Sequence, residues 1–229
     1  MNRKKNVLVV AAHPDDEVLG CGGTIAKYKN IYNFNCLFLS DGVSSRSLDK
    51  KKNEIQIKKR KISAEKAKKI LGIKKIFFGN FPDNSMDSIP FLSIVKFIEA
   101  HIKLIKPFRI YTHFGNDLNI DHKLASKAVV TATRPQKKNT VKEILFFEIP
   151  SSTEWNFRNT KGFFNPNVFE NIEKTIEFKK RALTSYKQEL RKYPHPRSMQ
   201  AIINLSKYRG NTSASKHAEA FVLARKINV

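Results

Sequence analysis

One stretch constrains this chain more than any other: Val7-Leu-Val-Val-Ala-Ala-His-Pro-Asp-Asp-Glu-Val-Leu-Gly-Cys-Gly-Gly-Thr24. Val7 to Ala12 is a short apolar run rich in β-branched residues, which reads as a strand buried on both faces of a parallel sheet. His13-Pro14-Asp15-Asp16 then puts an imidazole and two carboxylates at the strand's carboxyl end, where open α/β sheets bind ligands. Adjacent carboxylates beside an apolar strand repel each other and are costly to desolvate. A divalent cation removes that cost. His13 and Asp16 lie three residues apart and can point at one ion, while Pro14 biases His13 toward an extended conformation. Asp15 is left pointing elsewhere, free to act as a base. The competing reading, that both acids cap the next helix, explains neither His13 nor the need for a second acid. Gly20, Gly22 and Gly23 allow close backbone approach just beyond.

The chain has 229 residues, enough for one sizeable α/β domain. No apolar run reaches the length of a membrane span, and the basic N-terminus lacks a signal-peptide cleavage pattern, so the cytoplasm is the expected location. The two cysteines, Cys21 and Cys36, do not suggest a disulfide framework, and Cys21 reads as a small buried residue rather than a ligand. Net charge is +23, from 43 basic and 20 acidic residues. Such a field favours anionic partners, whether nucleic acid, lipid surface or phosphorylated small molecule. The lysines are dispersed, however, with Lys50–Lys52 and Lys58–Lys61 the densest runs, and a solvated surface explains most of them.

Strand and helix patterns alternate through residue 150. Strands are expected at 7–12, 36–40, 75–79, 108–113 and 143–149, with helices at 17–29, 55–71, 90–106 and 122–133 between them. Gly72 and Pro107 close two of these helices. This alternation predicts a doubly wound, Rossmann-like, mostly parallel sheet with helices on both faces. After an aromatic loop at 151–167, a long helix is expected over 168–191, interrupted by Pro194-His-Pro-Arg-Ser198. A further helix and an extended segment at Ala218–Leu223 follow. Residues 1–150 therefore read as the core, and 151–229 as a helical and extended extension of the same domain that shapes a substrate pocket.

In the common doubly wound orders the first and fourth strands are neighbours and flank the switch-point crevice. His13, Asp15 and Asp16 then face the loop carrying His113, Asp117, Asp121 and His122. His13, Asp16 and His122 form a His₂-carboxylate set, the pattern of a catalytic metal site with an open position. Zn²⁺ suits these donors, and Fe²⁺ or Mn²⁺ also fit.

Ala12-His-Pro-Asp-Asp-Glu17, the glycine pair after it and Asp117-Leu-Asn-Ile-Asp-His122 resemble the PIG-L/LmbE family of zinc-dependent N-deacetylases. Ala218-Glu-Ala-Phe221 adds to the resemblance near the end. It implies that His13, Asp16 and His122 bind zinc and that Asp15 is the general base. It also implies hydrolysis of an acetamide, typically on an amino sugar, with zinc lowering the pKa of its water and polarising the acetyl carbonyl. Two departures stand out. Many members have a histidine where this chain has Asn119, so His113 or His195 is expected to supply the oxyanion donor. Many also carry Arg-x-x-Glu on the second helix, where this chain reads Arg60-Lys-Ile-Ser63.

Arg46, Arg60 and Arg197 are candidates for contacting a phosphate or a sugar hydroxyl of the substrate. The expected substrate is an N-acetylated sugar, as a small molecule or linked to lipid or nucleotide; peripheral membrane contact and a homo-oligomer are compatible with it. An amidase removing another acyl group is the nearest alternative. A non-catalytic nucleotide- or nucleic-acid-binding module is the other, since Gly20-Cys-Gly-Gly23 can cradle a phosphate. That turn lacks the dinucleotide-binding spacing, leaves His13 and Asp16 without a task, and is not accompanied by RNA-binding aromatic motifs. No specific nucleic-acid partner is expected.

Overall fold

The computed structural model describes residues 4–136, 139–157 and 162–228, so part of the aromatic loop expected over 151–167 lies outside the described residues. Its centre is a seven-stranded sheet. The strands are β1 (Asn6–Ala11), β2 (Asn33–Ser40), β3 (Lys75–Phe81), β4 (Arg109–His113), β5 (Glu143–Phe147), β6 (Val168–Asn171) and β7 (Ala218–Lys226). They run in the order β3-β2-β1-β4-β5-β7-β6. β1 to β5 are mutually parallel, and β7 joins β5 and β6 in antiparallel fashion. The helices are α1 (Asp16–Tyr28), α2 (Lys50–Leu71), α3 (Phe91–Ile105), α4 (Ile120–Ala132), α5 (Ile176–Ser185) and α6 (Met199–Thr212).

The alternation of β1 divides the core. Val7, Val9 and Ala11 face a cluster that includes Ile25, Ala64, Leu71 and Leu183, from α1, α2 and α5. Leu8, Val10 and Ala12 face Ile94, Ile98, Ala125 and Val129, from α3 and α4. Both faces of β1 are therefore apolar and covered, as a parallel central strand requires. The strand order reverses between β1 and β4, which pair from Val7↔Arg109 to Val9↔Tyr111. The loops after these two strands consequently open into one crevice, as the sequence predicts.

One expected element differs. The long helix over 168–191 is instead β6, a turn and the shorter α5. The spacing of Phe169, Ile172 and Ile176 suits a helix, but Val168–Asn171 pairs along the edge offered by β7. Asn171 then closes a turn by accepting the Glu173 backbone N–H at 2.9 Å. Pairing with a distant strand overrides the local pattern, as it often does for short segments. The C-terminal third thus supplies two strands to the main sheet.

α1 is broken at Cys21, whose φ of −147° is not helical. The break exposes donors of the second half, and Glu219 of β7 takes them: its carboxylate accepts Gly23 N–H at 2.9 Å and Thr24 N–H at 2.7 Å. Lys179 of α5 completes the knot, donating to Glu219 at 2.6 Å and to Leu19 O at 2.8 Å. Gly23 is required here because a Cβ would sit 2.8 Å from Ile172. This knot ties the two halves of α1 together, at Leu19 before the break and at Gly23 and Thr24 after it. The pair is buried, so removing one partner leaves an uncompensated charge. Lys179→Met should therefore lower unfolding free energy by about 3 kcal/mol in urea titrations; a change under about 1 kcal/mol would show that the knot does not hold α1.

Candidate active site

The loop after β1 begins at Ala12, and its residues are buried despite their charge: His13, Asp15, Asp16 and Glu17 are all at most 7% exposed. Asp15 has φ of 130°, a strained conformation for a side-chain-bearing residue. Glu17 holds it there, accepting the Asp15 backbone N–H at 2.9 Å and the Tyr186 hydroxyl at 2.7 Å. Burial raises the Glu17 carboxyl to about 8, against the hydrogen bond from Tyr186. The Asp15 carboxylate meets Arg60 and Arg197, whereas that of Asp16 meets the imidazoles. Neither Asp15 oxygen has a hydrogen-bond partner.

His13, Asp16 and His122 converge, each offering one donor atom within 4.8 Å of the others. Asp16 Oδ2 lies 3.4 Å from His13 Nδ1 and 3.5 Å from His122 Nε2. The other nitrogen of each ring is committed to a carboxylate. His13 Nε2 meets Asp121 Oδ2 at 3.0 Å and Asp83 Oδ1 at 3.3 Å. His122 Nδ1 meets Asp117 Oδ1 at 3.1 Å. Asp121 is itself fixed by the backbone N–H groups of Asn84 (2.7 Å) and Met86 (3.1 Å). Asp117 accepts from the hydroxyls of Ser152 and Thr153.

This is the arrangement of metal-ligating histidines, in which a carboxylate takes the outer N–H and turns the inner lone pair toward the ion. His122 Nε2 and Asp16 Oδ1 are buried with no hydrogen-bond partner. Those orphaned atoms are what a metal's ligands look like, so the donor set fits a divalent cation. A second grouping, His13 with Asp83 and Asp121, uses the outer nitrogen of the same ring. It is explained by the orientation of His13.

The charges respond accordingly. Burial would lower the His13 pKa, but hydrogen bonds to Asp121, Asp16 and Asp83 carry it well above its ordinary value. His122 is likewise raised, burial being outweighed by Asp16 and Asp117. Burial would raise Asp16, yet the charges of His122 and His113 hold it well below the carboxylate range. Asp15 is raised by burial, against the opposing charge of Arg60.

The remaining expected residues fall into place unevenly. His113 ends β4, fully buried; its Nε2 accepts the Ala12 N–H at 2.8 Å, and its ring stacks on His122 at 4.0 Å. That geometry ties β1 to β4 under the site. Asn119 caps α4, accepting from the backbone N–H of Asp121 and His122. His195 is half-buried, with Nδ1 accepting the Arg197 N–H at 3.0 Å and the ring against Trp155. Arg60 and Arg197 flank Asp15 at 3.3 and 3.8 Å. Arg46 is more exposed and forks onto Glu189 at 2.7 and 3.0 Å. His101 and His217 stand outside the site, bonded to Phe97 O and Ser206 Oγ.

Sequence reasoning missed three features. Asp83 and Asp121 as partners of His13 follow only from the folded loops. Asp117 had a usable signal, since a ligating imidazole needs a carboxylate and Asp117 shares the loop with His122. Glu189 had none: it stands far from Arg60 in the chain, yet its carboxylate pairs directly with Arg60 and also holds Arg46. The carboxylate absent at Ser63 thus arrives from the segment after α5.

Residues 8–133 match the family described as GlcNAc-PI de-N-acetylase, PIG-L. The chain is also 30% identical to the uncharacterised deacetylase YaiS of Escherichia coli (strain K12), over 81% of this chain and 92% of that protein. The chain belongs to the PIG-L family. Among solved structures, the N,N'-diacetylchitobiose deacetylase of Pyrococcus horikoshii superposes with a TM-score of 0.75 at 20% identity. That alignment covers 96% of this chain and 84% of that one. GalB, the 4-carboxy-2-hydroxymuconate hydratase of Pseudomonas putida KT2440, superposes equally well, with a TM-score of 0.76 at 20% identity over 98% of each chain. The PIG-L fold is therefore shared by more than one chemistry, and only the site can decide between them.

Asp117 gives this site a pH signature. Burial alone would raise it, but the hydrogen bond and charge of His122 and the Ser152 hydroxyl hold it at about 2, below the ordinary 3.8. A depressed folded-state value contributes stability above about 3.8 that is lost as pH falls toward about 2. In chelator-treated protein, Asp117→Asn should therefore be less stable at neutral pH by roughly 2 kcal/mol and should lose less than the parent on acidification. Melting temperatures across that window check it; parallel curves would contradict it.

Proposed function

We propose that this PIG-L family member is a zinc-dependent N-deacetylase that hydrolyses the acetamide of an amino sugar or sugar conjugate, yielding acetate and a free amine. The observation that carries the reading is the pairing of a convergent His13, Asp16 and His122 set with an adjacent, buried Asp15 whose carboxylate accepts no hydrogen bond. The family description and the deacetylase relative support the acetamide as the bond cleaved.

In this reading His13, Asp16 and His122 hold the ion, which when bound lowers the pKa of a water and polarises the acetyl carbonyl. Asp15 takes a proton from the attacking water and hands it to the leaving nitrogen as the C–N bond breaks. Its raised pKa suits that exchange, because a carboxylate nearer neutrality is a stronger base and a usable acid. The charges of Arg60 and Arg197 limit the rise. Glu17 and Tyr186 keep Asp15 turned toward the cavity that it lines with Glu189 and Arg197.

The oxyanion donor is assigned to His195 rather than His113. His113 is packed beneath His122 with Nε2 engaged, whereas His195 Nε2 has no partner among the described residues. Arg46, half-exposed at the edge of the site, and Arg197 are the arginines placed to meet the substrate. Arg60 is too deeply buried for that and serves Asp15. This reading treats residues 1–229 as one domain, since the segments after 150 supply Tyr186, Glu189 and Arg197 to the site.

Two measurements test it. Metal analysis should find about one zinc per chain, lost in His13→Ala and kept in Asp15→Asn. Acetate release from N-acetylglucosaminyl compounds should fall roughly 10²- to 10⁴-fold in Asp15→Asn. Zinc retained without acetate release from any N-acetylated sugar would favour another acyl group or another hydrolytic chemistry.

A further inference from the structure

The loops around the site form one closed ring. Asn84 Nδ2 donates to Ser45 Oγ at 3.1 Å, and Asn119 Nδ2 donates to Asn84 Oδ1 at 2.8 Å. Asn156 Nδ2 donates to Asn116 Oδ1 at 3.1 Å, and Asn116 Nδ2 donates to Gly162 O at 2.9 Å. Trp155 packs on His195 with ring centroids 5.4 Å apart, and Arg46 closes the circuit onto Glu189 at 2.7 Å. These loops follow β2, β3, β4, β5 and α5, and they surround His13 and Asp15.

The outer edge of this ring is apolar. Leu48 is 103% exposed, Phe157 85% and Phe163 77%, with Leu118 and Tyr193 also projecting into solvent. An aromatic ring that stacks on a bound sugar sits half-covered beside the pocket, as Trp155 does at 37%. Rings that stand clear of the protein are instead placed to enter another medium. Large exposed apolar groups gathered on one face of a monomer mark an interaction surface. Phe, Trp and Tyr beside lysine and arginine is the composition of an interface with lipid headgroups. Here exposed Lys50, Lys51 and Lys52 follow Leu48, and exposed Arg191 and Lys192 precede Tyr193. Asp49, Asp87 and Glu154 are also exposed here, with Asp49 engaged in capping α2 and Glu154 in accepting the Ser151 N–H at 2.6 Å.

We propose that this rim docks the protein on an anionic bilayer surface, with Leu48, Phe157 and Phe163 entering the headgroup region and the flanking lysines meeting lipid phosphates. No helix among the described residues is long and apolar enough to cross a membrane, so the contact is peripheral. Docked this way, the site meets its acetamide on a molecule held at the bilayer. That consequence rests on the deacetylase reading; the docking does not.

The chain has one tryptophan, Trp155, and it sits in the rim. With the full chain and vesicles of equal phosphatidylglycerol and phosphatidylcholine, Trp155 emission should shift to the blue and be quenched by brominated phosphatidylglycerol. Phosphatidylcholine vesicles alone should give weaker binding. The exposed double substitution Phe157→Ser with Phe163→Ser should weaken anionic-vesicle binding by at least about tenfold. Lys59→Gln with Lys66→Gln, on the groove between α2 and α5 and off the rim, should change it by less than about twofold. Sedimentation with vesicles while Trp155 emission stays unchanged would overturn the proposal, as would undiminished binding of the Phe157/Phe163 variant. Either result would mean that net charge holds the protein by another face. Loss of acetate release with docking intact would instead count against the deacetylase reading alone.

Discussion

Five carboxylates, Asp15, Asp16, Asp83, Asp117 and Asp121, are buried around His13 and His122 at the end of the central strand. Such a concentration of like charge is costly to remove from water unless positive charge stands among it. The fold supplies that charge in two places. The imidazoles of His13 and His122, whose pKa values the neighbouring carboxylates raise, are oriented by Asp83, Asp121 and Asp117. On the other side of the turn, Arg60 and Arg197 face Asp15. Asp16 stands between the two imidazoles as the shared centre of the first group.

The rest of the architecture serves this separation. The strand order brings the loops after β1 and β4 together, which is why residues far apart in the chain share one cation seat. Glu17 and Tyr186 hold the backbone turn at Asp15, and the two neighbouring acids meet different partners, arginines for Asp15 and imidazoles for Asp16. Glu219 and Lys179 repair the break in α1 that the Gly-rich segment creates. The C-terminal third, which looks like an appendage in the sequence, thereby determines the geometry of the N-terminal motif.

How much of this could be read from the chain differs by residue. Val7–Ala12 and the acids after it announced strand, crevice and ligand type together, because β-branched apolar runs and adjacent carboxylates each have few structural solutions. The alternation up to residue 150 gave the parallel part of the sheet for the same reason. β6 was hidden, since four residues pairing with β7 leave no periodic trace distinct from the helix that follows. Glu189 was hidden too: a single glutamate on a polar segment carries no mark of the arginines it will meet. His113, at the carboxyl end of a central strand, bonds the Ala12 backbone and lies 3.5 Å from Asp16, contacts that no local pattern announces.

A shared fold with GalB means that the scaffold does not choose the reaction. The side chains do, and the central claim is that two imidazoles from distant loops and the carboxylate of Asp16 seat one cation. X-ray absorption at the zinc edge of the reconstituted protein tests this directly. The account predicts a low-coordinate shell of nitrogen and oxygen with the outer scattering of two imidazoles, reduced to one in His122→Ala. Sulfur in the shell, from Cys21 or Cys36, or a spectrum unchanged by His122→Ala, would contradict it.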